Sequence, residues 1–110
     1  MANRICKLLV VAAFALASLP VWAGETHVVI AKDMVFEPEE LTIQAGDTVR
    51  WENHERRQYH NVWFREAGED PVPYFFPEES YEKTFDEPGV YPYVCEPHEQ
   101  RGMKGVITVE

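Results

Sequence analysis

Four side chains that carry metal-binding atoms are spaced so that they can meet at one point. Cys95, His98 and Met103 occupy positions i, i+3 and i+8 of one short segment, and His60 lies 35 residues before the cysteine. A proline and a glycine within this segment disfavour an α-helix, which indicates a loop between two strands. If the loop curls, its thiolate, imidazole and thioether converge, and His60 can supply a second imidazole from another strand.

Two imidazoles, one thiolate and one thioether are the donor set of a blue-copper site. Soft sulfur suits Cu(I) and imidazole suits Cu(II), so an intermediate geometry accommodates both oxidation states. Zinc is less well served, because structural zinc sites use four strong nitrogen or sulfur donors and gain little from a thioether. Covalent haem attachment needs Cys-x-x-Cys-His, which this sequence lacks. The pattern therefore predicts one bound copper ion.

Other roles for these residues are open to argument. Cys95 could be a buried structural thiol, or a nucleophile with His60 or His98 as its base. Cysteine enzymes usually activate the thiol at a helix N-terminus or beside a cation, whereas Cys95 is predicted to end a strand in acidic surroundings. His54 is the rival of His60 as a ligand, but its neighbours are polar and charged, which is typical of a solvated loop. His27 is expected to be exposed.

Residues 60–62, 91–98, 102–103 and 105–107 resemble the cupredoxins, and the Cys-to-Met spacing is that of plastocyanins and pseudoazurins. The resemblance covers most of residues 35–109. It implies an all-β, Greek-key β-sandwich and one-electron transfer between periplasmic redox proteins. It also implies that His60, Cys95 and His98 are the strong copper ligands, that Met103 is the axial ligand, and that electrons pass through the edge of His98.

Two positions depart from the cupredoxin pattern. Glu96 follows the cysteine, where relatives usually carry a Ser or Thr that pairs with the Asn after the first histidine. We hypothesise that Asn61 donates to the Glu96 carboxylate, and that the added negative charge favours Cu(II) and lowers the reduction potential. Lys83 stands where relatives tend to have an apolar residue.

Short β-rich stretches separated by turns surround these residues, a pattern typical of a small sandwich or barrel. About seven strands are predicted, at residues 26–31, 41–44, 48–53, 60–64, 80–85, 90–95 and 105–109. Residues 65–79 are predicted to form a long acidic loop with three prolines and an apolar centre, Tyr74-Phe75-Phe76. A loop of this length is expected to be either functional or ordered by packing its aromatic residues.

Residues 1–23 have the order of a secretory signal peptide. A positive start is followed by a 12-residue apolar run and then by Val21-Trp22-Ala23, which has small residues at the positions that a signal peptidase recognises. The run is shorter than the roughly 20 residues that span a bilayer. We therefore expect cleavage after Ala23, no membrane insertion, and one cupredoxin domain over residues 24–110 in the periplasm. Cys6 would leave with the signal peptide, and Cys95 would be the remaining cysteine.

The chain beyond residue 23 is strongly acidic. Without Arg4 and Lys7 it has 8 basic residues against 19 acidic ones, a net charge of −11. This charge disfavours nucleic acid and favours a basic protein partner, although it could also simply maintain solubility. We expect a monomer that is not an enzyme and that exchanges electrons with a basic c-type cytochrome or with a membrane or periplasmic oxidoreductase. The alternative is a periplasmic copper carrier or buffer.

Overall fold

The computed structural model describes residues 24–110, so the expected signal peptide lies outside the described residues. Two sheets face each other, one with the strand order β2-β1-β4-β5 and the other with the order β3-β7-β6. Short 3-10 turns cover Arg65–Ala67 and Glu96–Arg101. The strands are β1 (Thr26–Lys32), β2 (Val35–Glu37), β3 (Glu40–Ile43), β4 (Asp47–Asn53), β5 (Ser80–Phe85), β6 (Gly89–Val94) and β7 (Lys104–Val109).

The core lies between the two sheets because successive side chains of a strand point to opposite faces. In β4, Val49 and Trp51 are fully buried, whereas Arg50 and Glu52 form a 3.0 Å ion pair on the outer side. The Trp51 ring is at the centre of an aromatic cluster, with ring centroids 5.4 to 6.1 Å from those of its neighbours. These neighbours are Phe64, Tyr81 and Tyr93.

The all-β, seven-strand prediction is confirmed, but the predicted strand at residues 60–64 is wrong. His60 exchanges two backbone hydrogen bonds with Phe75, and Trp63 exchanges two with Val94. Because this segment changes partner after three residues, it forms two isolated bridges instead of a strand. The seventh strand is the three-residue β2, which pairs antiparallel with the end of β1.

The loops that carry the candidate metal ligands meet at one end of the sandwich. β4 ends at Asn53, and β6 and β7 are joined there by residues 95–103, since Val94 pairs with Lys104. The segment from residue 54 to residue 79 crosses the same end, where the backbone N–H of Asn61 reaches the sulfur of Cys95 at 3.4 Å. None of the helical turns among residues 24–110 has the length and apolar character needed to cross a membrane.

Asp47 ties the strands together at the opposite end of the sandwich. Its Oδ1 accepts the backbone N–H of Glu25 at 2.9 Å, and its Oδ2 accepts that of Gln44 at 3.0 Å. The Nε2 of His27 lies 2.9 Å from Oδ2. The side chain of His27 is therefore only 24% exposed, and the expectation of an exposed histidine is wrong.

We expect the Asp47→Asn variant to lose less of its free energy of unfolding than the wild type when the pH is lowered into the acid range. The His27 side chain, followed by the backbone N–H groups of Gln44 and Glu25, lowers the pKa of Asp47. A carboxylate whose pKa is lower in the folded state stabilises the fold above its unfolded pKa of about 3.9, and this stabilisation is lost as the pH falls through the folded pKa. Urea midpoints should fall more steeply below about pH 4 in the wild type than in the variant. Equal slopes would contradict this role.

Candidate metal centre

Three of the four predicted ligands bring their metal-binding atoms together. The donor atoms of His60, Cys95 and His98 all lie within 4.8 Å of one another. The sulfur of Cys95 is 3.6 Å from Nδ1 of His60 and 3.4 Å from Nδ1 of His98. His60 and Cys95 are fully buried, whereas His98 is half-buried. The segments therefore meet as the spacing predicted, with one imidazole inside the protein and one at its surface.

Met103 closes the loop that begins at Cys95. Its carbonyl accepts the N–H of Cys95 at 3.0 Å, and its own N–H donates to the carbonyl of His98 at 3.4 Å. Gly102, with a φ of 80°, adopts the left-handed conformation that glycine tolerates best and turns the chain into Met103. The methionine is fully buried, and its backbone hydrogen bonds to Cys95 and His98 place the residue at the base of the curled loop.

The surroundings of Cys95 suit a thiol that ionises when it binds a cation. Burial raises the pKa of the Cys95 thiol to about 11, against the smaller lowering effect of the Asn61 and His98 backbone N–H groups. The thiol is thus protonated at neutral pH unless a positive charge lies beside it. Metal binding supplies that charge and releases the proton. The Asn61 N–H, 3.4 Å from the sulfur, remains available to stabilise the thiolate.

Both clustered histidines favour the neutral form that binds metals. Burial is the largest cause of the lowered pKa of His60 and of the lowered pKa of His98. The carboxylate of Glu55 partly opposes this effect at His60, because its Oε2 lies 3.1 Å from Nε2 of the ring. Glu55 was not among the site residues predicted from the sequence, where its only signal is an acidic residue five positions before the expected ligand His60.

His54 does not compete for the site. Its side chain is 45% exposed, and its Nε2 lies 3.0 Å from a carboxylate oxygen of Glu52. His60 is the histidine of this segment that joins the donor cluster. Of the two histidines between which the sequence left the choice open, only His60 therefore lies where it could bind the same metal as Cys95 and His98.

Asn61 links the two segments that carry the donors. Its Nδ2 lies 3.3 Å from Oε1 of Glu96, and its Oδ1 accepts the Glu96 N–H at 2.7 Å. The hypothesised pairing of Asn61 with the Glu96 carboxylate is thus present. The same Nδ2 also donates to the carbonyl of Val72 at 3.2 Å, so one fully buried amide connects the His60 segment, the ligand loop and the long loop.

The aromatic residues of the 65–79 loop have two different roles. Phe75 is buried in the core, whereas Tyr74 is 42% and Phe76 50% exposed. Tyr59 packs between the exposed pair, with ring centroids 4.4 Å from Tyr74 and 5.6 Å from Phe76, and its ring lies 6.3 Å from that of His98. We call Tyr59, Tyr74 and Phe76 the aromatic patch. The loop is thus ordered by packing and also presents an apolar surface beside His98.

The unusual Lys83 has a structural explanation. Its Nζ lies 5.5 Å from the ring centroid of Phe64 and 5.6 Å from that of Phe85. The same ammonium is 3.3 Å from both carboxylate oxygens of Glu69 in the long loop. A lysine can cover apolar surface with its stem and keep its charge in solvent. Lys83 therefore shields the aromatic core and holds the loop to β5.

Comparison with known proteins agrees with this geometry. The family model described as copper binding proteins of the plastocyanin/azurin family matches residues 22–110. The chain belongs to this family. This cupredoxin is 44% identical over 90 residues to the plastocyanin of Scenedesmus fuscus, covering 70% of this chain and 88% of that protein. It is 41% identical over 92 residues to amicyanin-alpha of Methylorubrum extorquens, covering 80% and 74% of the two chains.

Solved structures give the same result for the fold. The cupredoxin superposes on the Cu(I) form of an amicyanin mutant with a TM-score of 0.69 and 38% identity, covering 82% of this chain and 86% of the other. The fold is that of a cupredoxin. With a buried thiol and two imidazole nitrogens converging within 4.8 Å, the donor set fits one copper ion.

Proposed function

We propose that this cupredoxin is a periplasmic electron carrier, with His60, Cys95 and His98 as its strong copper ligands and Met103 as the weak axial ligand. The convergence of one buried sulfur and two imidazole nitrogens within 4.8 Å carries this proposal. Copper bound there would supply a one-electron change between Cu(II) and Cu(I). A set of four protein donors leaves no position for a substrate, unlike catalytic metal sites, which keep one open.

The protein contributes by holding the donors still and excluding water. His60, Cys95 and Met103 have no exposed surface, and Val62 beside them has none either. Asn61 donates its N–H to the Cys95 sulfur and accepts the Glu96 N–H, so it connects both ligand segments and limits their movement when the charge of the site changes. Such burial favours an electron carrier over a copper carrier or buffer, since a trafficking site has to be accessible to the protein that receives the metal.

His98 is the proposed port for electrons. It is the half-buried member of the donor cluster, and its ring lies next to the aromatic patch. The side chains of Tyr59, Tyr74 and Phe76 carry no charge. A redox partner that docks on this patch would therefore come close to the imidazole edge without having to desolvate a charged group there. The aromatic patch would thus let a redox partner approach His98 closely, at the place where electron exchange is proposed.

The proposed location and partner rest on the sequence. The predicted signal peptide at residues 1–23 supports export to the periplasm, where the protein would act as a monomer. The net charge of −11 over residues 24–110 supports a basic c-type cytochrome, or an oxidoreductase with a basic docking site, as the partner.

Stopped-flow electron exchange with a basic c-type cytochrome tests this function. The reduced protein should transfer one electron per copper, and the second-order rate constant should fall steeply as salt is raised, because long-range attraction between opposite charges is screened. An acidic cytochrome of similar potential is the control and should react more slowly at low salt. A rate that is indifferent to salt would contradict steering by charge, and the absence of electron transfer would contradict the function.

Glu96→Ser should raise the reduction potential by several tens of millivolts. The carboxylate is hydrogen-bonded to Asn61 and follows Cys95 directly, so its negative charge favours the more positive oxidation state of copper. Because Glu96 is exposed, solvent weakens the interaction to about 1 kcal/mol, which is ~40 mV for one electron. Cyclic voltammetry of the two proteins measures the shift. An unchanged potential would show that the charge of Glu96 has no part in tuning the copper.

A further inference from the structure

Glu55 lies just outside the donor cluster and turns its carboxylate towards it. Its Oε2 is 3.1 Å from Nε2 of His60 and also accepts the backbone N–H of Asp33 at 2.7 Å. The Glu55 side chain is 11% exposed, although the residues on either side, His54 and Arg56, are exposed. A carboxylate withdrawn from solvent in an exposed loop requires a specific partner, and the imidazole of His60 is that partner.

The backbone around Glu55 holds this carboxylate in place. The N–H of Glu55 donates to Oδ1 of Asn53 at 2.8 Å. The Nδ2 of the same Asn53 donates to the carbonyls of Gln58 and Phe75, both at 2.9 Å. The loop from residue 54 to residue 59 is therefore tied to Asn53 near both of its ends, and Asn53 is itself tied to Phe75. Glu55 consequently meets His60 in a defined orientation.

The two ring nitrogens of His60 face different groups. Nδ1 lies 3.6 Å from the sulfur of Cys95, and Nε2 faces the Glu55 carboxylate. A neutral imidazole carries one proton, and an ionised carboxylate can only accept. The contact with Glu55 therefore places the proton on Nε2 and leaves the lone pair of Nδ1 directed at the donor cluster. Within residues 24–110, no corresponding acceptor contacts Nε2 of His98.

We propose that Glu55 is a positioning residue for His60. It orients the imidazole ring, and it makes His60 a stronger donor to Cu(II). This inference rests on the proposed copper ligation by His60. A carboxylate that accepts the second N–H of a ligating imidazole fixes the ring and raises its basicity. The protein thus has one imidazole, that of His60, in contact with a carboxylate that is largely shielded from solvent, and a second imidazole, that of His98, that is free to face a partner.

Three variants separate orientation from charge. Glu55→Gln keeps an oxygen that can accept from Nε2–H but removes the charge, whereas Glu55→Ala removes both. Glu87→Gln makes the same charge change at the β5–β6 turn, at the end of the sandwich opposite the donor cluster, and serves as the matched control. For each variant, the potential, the copper affinity and the blue absorption band are measured on the copper-loaded protein. Exchange of the His60 Nε2–H with water is followed by NMR in the diamagnetic Cu(I) form.

Glu55→Gln is expected to keep the blue band and to lose about tenfold more affinity for Cu(II) than for Cu(I), which raises the potential by ~59 mV. Glu55→Ala should lower copper affinity by about 10- to 100-fold and speed up exchange of the Nε2–H. Glu87→Gln should match the wild type.

Two results would overturn the proposal. If the reduction potential of Glu55→Gln equals that of the wild type, the charge of Glu55 does not strengthen His60 as a copper donor. If Glu55→Ala keeps the wild-type rate of Nε2–H exchange and the wild-type copper affinity, Glu55 does not orient His60. Failure of the proposed function is a separate result, because it would appear in the wild type itself as the absence of a blue band.

Discussion

Replacement of Cys95 by Ser is expected to abolish the blue absorption of the copper-loaded protein. Cys95 is the cysteine of residues 24–110, and its sulfur lies 3.6 Å from Nδ1 of His60 and 3.4 Å from Nδ1 of His98. A serine hydroxyl has nearly the same shape but does not ionise near neutral pH, so it cannot supply the thiolate-to-copper transition. Copper affinity should fall by more than the roughly 10- to 100-fold typical of losing an outer hydrogen-bond partner. Visible spectra and competition titrations with a chelator measure both effects.

Met103→Leu is the matched control for this prediction. It also removes a sulfur from a fully buried position, and it preserves volume well enough for the core to tolerate the change. The thiolate and both imidazoles remain, so the blue band should persist. The reduction potential should change, because Met103 is the proposed axial ligand and the axial ligand tunes the potential of such a site. An intense blue band in Cys95→Ser, or its complete loss in Met103→Leu, would contradict the assigned roles.

Asn53→Ala should destabilise the protein by about 3 kcal/mol, the largest stability effect that we expect from a single polar side chain here. The amide is almost fully buried and makes three hydrogen bonds of 2.8 to 2.9 Å to the backbone of Glu55, Gln58 and Phe75. Its loss removes the partner of the Glu55 N–H and of the Gln58 carbonyl, and it leaves the Phe75 carbonyl with only the hydrogen bond from the His60 N–H. Thermal unfolding should shift by roughly 15 °C in a domain of this size.

Gln44→Ala provides the comparison. Gln44 is exposed, and its side chain makes one long contact of 3.4 Å with Glu110, so the change should stay within about 0.5 kcal/mol. If Asn53→Ala were equally mild, the 54–59 loop would not depend on this amide. The orientation of Glu55 would then have to come from its contact with the Asp33 backbone alone.

Local patterns predicted most of the fold and the donor cluster. Alternation in β4 is visible in the sequence because Val49 and Trp51 face the core and Arg50 faces outwards. The i, i+3, i+8 spacing from Cys95 to Met103 indicates that the side chains of these residues converge. The loop joins two neighbouring strands, so it has to curl back, and this brings its two ends together. The hydrogen bond from the Cys95 N–H to the Met103 carbonyl, 3.0 Å long, closes that curl.

Contacts between distant segments were much less visible. The bridge between Trp63 and Val94 replaces the predicted strand, and its partner is set by how the long loop folds back rather than by any periodicity near residue 63. The burial of Glu55 likewise depends on Asn53 and on the turn at Asp33. His27 has no local reason to be half-buried, and its burial follows from the position of Asp47, 20 residues further along the chain.

The pairing of Asn61 with Glu96 was predicted although the two residues are 35 positions apart in the sequence. It followed from the cupredoxin resemblance, which supplies the neighbour relation that periodicity cannot supply. In contrast, the packing of Tyr59 against Tyr74 and Phe76 lies in the part of the chain where the family pattern offers no guide. For this loop the sequence left open whether it is functional or is ordered by packing its aromatic residues.

The most direct test of the central claim is the visible spectrum of the protein during copper addition and a redox cycle. One equivalent of Cu(II) should produce an intense blue thiolate-to-copper band, which should bleach on mild reduction and return on reoxidation with no loss of metal. A pale or colourless product would contradict copper ligation by Cys95. A blue band that disappears with release of the copper on reduction would contradict electron carriage and favour a copper carrier.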